Sequence, residues 1–218
     1  MHYHLNMQRK ERIRFIIASV INVAIFGIMV YCLITLINSY INEKNRFIYF
    51  TNISNLIVGL MSLINAVFLI LSIVKNKNCV PQAFTLIKII AISMTTLTFF
   101  TVLLVIGPVD GYIKNYSGRN FFTHLIVPLL ALFSYLLFEE KLELKWKYSL
   151  CLLMPFVIYS IFYVINVVFL QTWPDLYQIN KQGLWYLFLI AFLVADFGLG
   201  QGIYFLKRFI DKKTIHYR

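Results

Sequence analysis

Residues 48–74 read IYFTNISNLIVGLMSLINAVFLILSIV, a run of 27 residues without a charged side chain. About 20 mostly apolar residues are needed for a helix to cross the hydrocarbon core of a bilayer. The apolar residues of this run do not alternate strictly with polar ones, as they would in a strand of a membrane β-barrel. The run therefore predicts a transmembrane helix.

Five further stretches have a similar length and character. They cover residues 15–37, 83–106, 121–138, 148–170 and 184–206. The polar connections between the six stretches are short and leave no room for a soluble domain. The sequence therefore predicts an all-α polytopic membrane protein: a single bundle of six transmembrane helices over residues 15–206, with short tails at 1–14 and 207–218.

The composition excludes several classes of protein. Hydrophobic residues make up 60% of the chain and charged residues only 13%, whereas soluble proteins have about 25% charged residues. An ordinary cytosolic enzyme, a disulfide-rich secreted module and a disordered chain are therefore excluded. The net charge of +11 would suggest a nucleic-acid partner in a soluble protein. Here the basic residues lie between apolar runs, so we expect no nucleic-acid binding.

The distribution of Lys and Arg predicts the orientation of the chain. Six spans put both termini on one side of the membrane, and the tails and loops of that side carry 14 basic residues, against 5 on the other side. Basic residues are enriched in cytoplasmic loops, so both termini should be cytoplasmic. Ile, Asn and Lys are abundant, which is compatible with an AT-rich bacterial source, and we expect a multi-pass protein of a bacterial plasma membrane. The sequence does not predict an oligomeric state.

Neither a metal nor a cofactor is expected. Cys32, Cys79 and Cys151 form no CxxC pair and no Cys/His cluster, so they predict neither a zinc site nor a disulfide framework. The sequence lacks the phosphate-binding motifs GxxxxGK[ST] and GxGxxG, and it lacks the GxSxG motif of many serine hydrolases.

Polar residues within the spans are the first candidates for function, because they are costly in lipid unless they face a partner or a cavity. The richest cluster opens the second span and includes Thr51, Asn52 and Asn55. Thr51 and Asn55 are four residues apart and therefore share a helix face. Asn65 lies about three turns further along and points roughly the same way.

His124 opens the fourth span, four residues before Pro128. Proline lacks the N–H that would bond the carbonyl of residue 124, so the helix should be kinked and locally polar at the histidine. The second and fourth spans both start at the outer side, so Thr51 and His124 should lie at a similar depth. A hydroxyl and an imidazole are the minimal parts of an activated nucleophile, and Asn52 or Asn55 could hold the oxyanion.

Thr51 and His124 also have structural interpretations. Thr51 could be a helix cap, or a threonine whose hydroxyl bonds back to its own helix. His124 could be an interfacial histidine that is hydrogen-bonded to a loop.

Two segments resemble the motifs of a known family. Residues 47–56, FIYFTNISNL, resemble the aromatic-aromatic-Thr-x-x-Ser-Asn-Leu motif of a bacterial six-helix membrane family, and residues 123–129, THLIVPL, resemble its His-x-x-x-Pro-Leu motif. The same two elements look like those of the androgen-induced membrane hydrolases of animals, which hydrolyse fatty acid esters of hydroxy fatty acids. The resemblance implies an intramembrane hydrolase of lipid esters, with Thr51 as nucleophile, His124 as base and a membrane lipid or acyl chain as substrate.

The fifth loop departs from the pattern of that family. The bacterial relatives often have Tyr-Pro-Phe-(Leu/Ile)-Asp there, whereas this chain has Thr172-Trp173-Pro174-Asp175-Leu176. The resemblance implies that Asp175 is the remnant of that aspartate and supports the site.

Two charged residues within the spans favour other interpretations. Lys88 lies about five residues into the third span, and its side chain could extend to the interface. Asp196, near the middle of the sixth span, is expected to pair with Lys88 or with amides, to stay protonated, or to line a polar cavity. The alternatives to a hydrolase are therefore a small transporter or channel built around Asp196 and Lys88, and a non-catalytic membrane scaffold. The run 139–143, EEKLE, is predicted to be a solvated loop.

Overall fold

Helices form the regular structure of the protein in the computed structural model, which describes residues 7, 9–40, 48–175, 177–180 and 183–216. No strand occurs in this part of the chain. Six helices are long and apolar enough to cross a membrane, which confirms the predicted fold class. They are α1 (Arg9–Tyr40), α2 (Phe50–Val74), α3 (Gln82–Asp110), α4 (Arg119–Leu137), α5 (Trp146–Phe169) and α6 (Trp185–His216).

The observed helices agree with the predicted spans to within a few residues, except near the two ends of the chain. α1 begins at Arg9 rather than at residue 15, and α6 continues to His216 rather than ending at residue 206. Parts of both predicted tails are therefore helical. Outside the described residues lie Phe47 of the first motif, Leu176 of the fifth loop and some of the counted basic residues (Lys44, Arg46, Lys181 and Arg218).

α3 occupies the centre of the bundle. It packs against α2, α4, α5 and α6, and 56% of its most apolar stretch is buried, compared with 17% for α6. α1 packs on α2 and α4, on the side of the bundle away from α6. Because the number of spans is even, α1 begins and α6 ends at the same end of the bundle, which we call the inner end. α2 and α4 begin at the opposite, outer end.

Two spans widen to a π-helical turn just before a proline. The turns are Val102–Ile106 in α3, followed by Pro108, and Phe122–Ile126 in α4, followed by Pro128. Proline cannot donate to the carbonyl four residues earlier, and its ring clashes with that carbonyl, so a wider turn relieves the conflict. The irregularity predicted at His124 thus takes the form of a π-helical turn, a feature that is frequent at functional sites.

Candidate active site at the outer end of the bundle

The start of α2, which carries Thr51, is held by two tyrosines from other parts of the chain. The backbone N–H of Phe50 donates to the hydroxyl of Tyr177 at 3.2 Å. The hydroxyl of Tyr159 donates to the carbonyl of Ile48 at 2.9 Å. Burial raises the pKa of Tyr177, so its phenol stays neutral. These two bonds fix the first turn of α2 relative to α5 and the loop that follows it.

Thr51 itself is not the cap of this helix. The N-cap position is occupied by Tyr49, and no side chain makes a capping hydrogen bond there. The capping interpretation of Thr51 is therefore wrong. A threonine that bonds back to its own helix uses the carbonyl three or four residues earlier. Here these carbonyls belong to Ile48, which accepts from the hydroxyl of Tyr159, and to Phe47, which lies outside the described residues.

Thr51 lines a cavity of about 80 Å³ between α2, α3, α5 and α6. The other polar groups in its described lining are hydroxyls, among them those of Thr101 and Ser160. Most of the lining is apolar, with Leu97 and Phe156 among its members, and no described lining residue is charged. This volume is below the ~300–1,000 Å³ of typical ligand pockets, so the cavity accommodates a short apolar segment of a hydrocarbon chain and not a whole acyl chain.

One wall of this cavity reaches the perimeter of the bundle. Phe188, near the start of α6, lines the cavity and is itself 44% exposed. Ile106, at the outer part of α3, lines it as well. The lining of the cavity therefore extends to the exposed surface of α6.

His124 lies in the π-helical turn of α4 and is hydrogen-bonded through one ring nitrogen. Its Nδ1 is 2.9 Å from the carbonyl oxygen of Asn115. Because a carbonyl oxygen only accepts, Nδ1 must carry the proton of this bond, and in the neutral ring Nε2 is then the unprotonated, basic nitrogen. The bond to a loop, predicted as the structural alternative, is confirmed, and it also selects the tautomer that a base acting through Nε2 requires. His124 is not among the described residues that line the Thr51 cavity.

Asn55 connects the two motifs. Its Nδ2 donates to the carbonyl of Thr51 at 2.8 Å and to the carbonyl of Thr123, the residue before His124, at 3.0 Å. The residue is fully buried. Both hydrogens of the amide are therefore used on backbone carbonyls, so Asn55 is a positioning residue and not a donor available to an oxyanion.

Asn52 faces another part of the bundle. Its Oδ1 accepts a hydrogen bond from Arg119 at 3.3 Å. Asn52 and Arg119 line a small separate space between α1, α2 and α4, together with Cys32. Asn52 is not among the described residues that line the Thr51 cavity.

Asp175 organises the loop over the outer mouth of the cavity. Its carboxylate accepts hydrogen bonds from the backbone N–H groups of Ile179 at 3.0 Å and Asn180 at 2.9 Å. It also accepts one from the hydroxyl of Tyr163 at 3.3 Å. Tyr163 and Ile179 both line the cavity, so Asp175 acts on the cavity wall through its neighbours.

Lys88 neither extends to the interface nor pairs with Asp196, and both expectations are corrected here. It is 1% exposed, and its ammonium group is paired with the carboxylate of Glu139 and donates to Oδ1 of Asn22 at 3.0 Å. Burial by itself would raise the pKa of Glu139. The positive charge of Lys88, with hydrogen bonds from Asn22 and Ser134, lowers that pKa below its ordinary value, so the carboxyl is ionised.

The predicted solvated loop at 139–143 is also corrected, because two of its three glutamates are buried and only Glu143 is exposed. Glu139 is 0% and Glu140 is 3% exposed. The hydroxyl of Thr85 donates to Glu140 at 2.9 Å, and burial together with the charge of Glu139 raises the pKa of Glu140. The backbone N–H of Leu142 donates to Asp211 at 2.9 Å. A buried charge network thus closes the inner end of the bundle.

Asp196 and Asn65 are buried away from the candidate site. Asp196 is 2% exposed near the middle of α6, and its Oδ2 has no hydrogen-bond partner within the described residues. Asn65 is fully buried on α2, and neither polar atom of its side chain has a partner in that same part of the chain. Neither residue is among the described lining of the Thr51 cavity.

Among the residues that the structure describes, no three His, Cys, Asp or Glu side chains come together in a group that could hold a metal ion. Comparison of the chain with protein-family models, with curated proteins and with solved structures finds no match.

Proposed function

We propose that this protein is an intramembrane hydrolase of lipid esters, acting on fatty acid esters of hydroxy fatty acids or similar molecules. Thr51 is the nucleophile and His124 is the base. The observation that carries the proposal is the position of Thr51. This residue lines a narrow, mainly apolar cavity, and its helical turn is tied by Asn55 to the turn that bears His124. The two sequence motifs that resemble the androgen-induced membrane hydrolases support the same pair of residues.

The cavity suits the short part of an acyl chain next to the ester, which enters sideways from the membrane while the rest of the chain stays in lipid. The chain passes the exposed Phe188 and lies against apolar residues such as Leu97 and Phe156. The ester group then lies at the outer end beside Thr51, where hydroxyl groups replace the apolar wall. An apolar substrate thereby reaches the nucleophile without leaving lipid.

In the first step, Oγ1 of Thr51 attacks the ester carbonyl carbon and Nε2 of His124 takes the hydroxyl proton. This requires Oγ1 and Nε2 to lie about 3 Å apart, or to be bridged by one water. The carbonyl of Asn115 keeps the ring in the tautomer that leaves Nε2 unprotonated. The tetrahedral intermediate collapses, the C–O bond of the alcohol breaks, and His124 returns the proton to the leaving alkoxide.

In the second step, water hydrolyses the acyl-threonine. Nε2 of His124 takes a proton from the water while the water oxygen attacks the acyl carbon. The bond between this carbon and Oγ1 of Thr51 then breaks, His124 returns the proton to Oγ1, and the fatty acid leaves. The side-chain amide of Asn55 is occupied by two carbonyls, so the oxyanion is stabilised instead by the positive end of the helix dipole at the first turn of α2.

A hydrolysis assay with matched threonine variants tests the proposal. Purified protein in lipid vesicles is given a fatty acid ester of a hydroxy fatty acid, and release of free fatty acid is measured. Thr51→Ala should abolish turnover, and Thr51→Ser should retain part of it because the hydroxyl is kept. Thr101→Val is the control, since Thr101 lines the same cavity and has no role in the proposed chemistry. Equal turnover by wild type and Thr51→Ala would contradict the proposal.

A further inference from the structure

Three buried polar groups without partners lie on the two helices that pack together beside the cavity, α3 and α6. Ser93 and Thr96 of α3 are 0% and 2% exposed, and Asp196 of α6 is 2% exposed. Within the described chain, both hydroxyls and Oδ2 of Asp196 lack a hydrogen-bond partner. Thr95 and Thr98 of the same α3 instead donate back to carbonyls one turn earlier, so the unbonded hydroxyls are not a general property of this helix.

The contact at Gly200 places these three residues within about one helical turn of each other along the interface. A Cβ atom at Gly200 would lie 3.7 Å from Oγ of Ser93. Gly200 is one turn inward from Asp196 on the same helix face, and Thr96 is one turn outward from Ser93 on its own face. Because α3 and α6 run in opposite directions, Thr96 lies at the level of Asp196.

The cluster lies directly below the floor of the cavity. Phe192, one turn before Asp196 on α6, lines the cavity, and so does Leu97, the residue after Thr96 on α3. Asp196 is therefore about one helical turn from the cavity lining on α6, and Thr96 is next to the cavity lining on α3.

No described cation neutralises a negative charge at Asp196. On α6 the nearest basic residue toward the inner end is Lys207, about three turns away, and it is paired with Asp211 at 3.2 Å. Lys88 of α3 is paired with Glu139, and the part of α5 nearest Gly200 presents the apolar Leu152. An isolated buried carboxylate is strongly disfavoured, whereas a carboxylic acid is neutral and can donate a hydrogen bond.

We propose that Asp196, Ser93 and Thr96 form a proton-binding site in the middle of the membrane, which exchanges its proton with the cavity above it. The carboxyl group of Asp196 holds the proton, and a water molecule between it and the two hydroxyls accepts its hydrogen bond, because neither hydroxyl bonds directly to any group of the described chain. The site is independent of the proposed hydrolase, since none of its residues takes part in the Thr51 chemistry.

Chemical labelling tests the site in the full-length protein in lipid vesicles. Dicyclohexylcarbodiimide is an apolar reagent that reacts with protonated carboxyl groups, and the modified residue is identified by mass spectrometry of the peptides. Asp196 should be modified, and its rate of modification should fall by about tenfold per pH unit on the alkaline side of its titration, because only the protonated form reacts. Asp110→Asn is the control, since Asp110 is exposed at the outer end of α3 and its loss should leave labelling of Asp196 unchanged.

An infrared measurement covers the case in which the reagent does not reach the site. Asp196→Asn should fold normally because the amide has the size and neutrality of the protonated acid, and it should retain ester hydrolysis. The difference spectrum between wild type and Asp196→Asn should contain the C=O band of a protonated carboxyl group. Absence of that band would overturn the proposal, and so would protection of Asp196 by sodium but not by choline at constant pH, which would indicate a metal-cation site.

Discussion

A hydrogen bond of 3.0 Å joins the side-chain amide of Asn55, on α2, to the carbonyl oxygen of Thr123, on α4. The same nitrogen donates to the carbonyl of Thr51 at 2.8 Å. The two motifs are far apart in the sequence, and this buried amide holds the turn of one against the turn of the other. The relative position of the two motifs should therefore depend on the two hydrogens of the Asn55 side-chain amide.

Asn55→Asp should lower kcat/KM for ester hydrolysis by about 10² because a carboxylate cannot donate to either carbonyl, and small displacements of a reacting group have effects of this size. The measurement is steady-state hydrolysis in lipid vesicles. Asn52→Asp is the matched control: it keeps the acceptor for Arg119 and lies away from the cavity, so its rate should stay within about twofold of wild type. A similar loss in both variants would contradict the positioning role of Asn55.

His124→Ala should lower the rate of hydrolysis by about 10²–10⁴, the usual contribution of a general base. His124→Gln should not restore it, because an amide can hydrogen-bond to the threonine hydroxyl but cannot take its proton. Asn115→Ala serves as the control, since His124 bonds to the backbone carbonyl of Asn115 and this carbonyl is retained. Wild-type hydrolysis by His124→Gln would exclude the role of base.

Removing one partner of the ion pair between Lys88 and Glu139 should strongly destabilise the protein, whereas replacing both partners by apolar residues should have little effect on stability. Both side chains are buried, so Lys88→Met leaves an unpaired carboxylate and should cost about 3–5 kcal/mol of stability. The double variant Lys88→Met, Glu139→Leu removes both charges and should recover most of that loss. Thermal unfolding in detergent micelles measures all three proteins. A double variant as unstable as Lys88→Met would contradict this account of the pair.

The same pair predicts how stability depends on pH. The pKa of Glu139 is lower in the folded protein than in the unfolded chain, so its contribution is fully present above the unfolded carboxyl pKa of about 4.3 and is lost as the pH falls through the lowered folded value. Wild type should therefore lose more stability than the double variant on acidification. Parallel pH profiles of the two proteins would contradict the prediction.

The positions of the spans could be predicted from the sequence, because hydropathy depends on local composition alone. The placement of Thr51 and His124 near one end of the bundle could be predicted as well, from the direction of their spans. The partner of Lys88 could not, since Glu139 lies in a polar run that has the composition of an exposed loop. A buried lysine requires a carboxylate, and this requirement was the one signal that pointed to the neighbouring glutamates. Which neighbouring helix Asn52 faces depends on how the helices pack, so it could likewise not be predicted from the sequence.

The excess of basic residues at the inner end predicts that this end is cytoplasmic. Lys114→Cys places a thiol on an exposed side chain at the outer end, and it should react with a membrane-impermeant maleimide added to intact cells. Cys79 lies in the connection between α2 and α3 at the inner end, and Cys151 lies near the inner end of α5. They are the internal controls and should react only after the membrane is opened. The opposite pattern would place Thr51 on the cytoplasmic side.

Covalent labelling of Thr51 is the most direct test of the central claim. A fluorophosphonate probe is added to membranes that contain the protein; the attacking oxygen displaces fluoride from phosphorus, and the labelled peptide is identified by mass spectrometry. The account predicts a label on Thr51 in wild type, no label at that peptide in Thr51→Ala, and full labelling in Ser160→Ala, which removes another hydroxyl from the same cavity. Equal labelling of wild type and Thr51→Ala, or a label carried by Ser160, would contradict it.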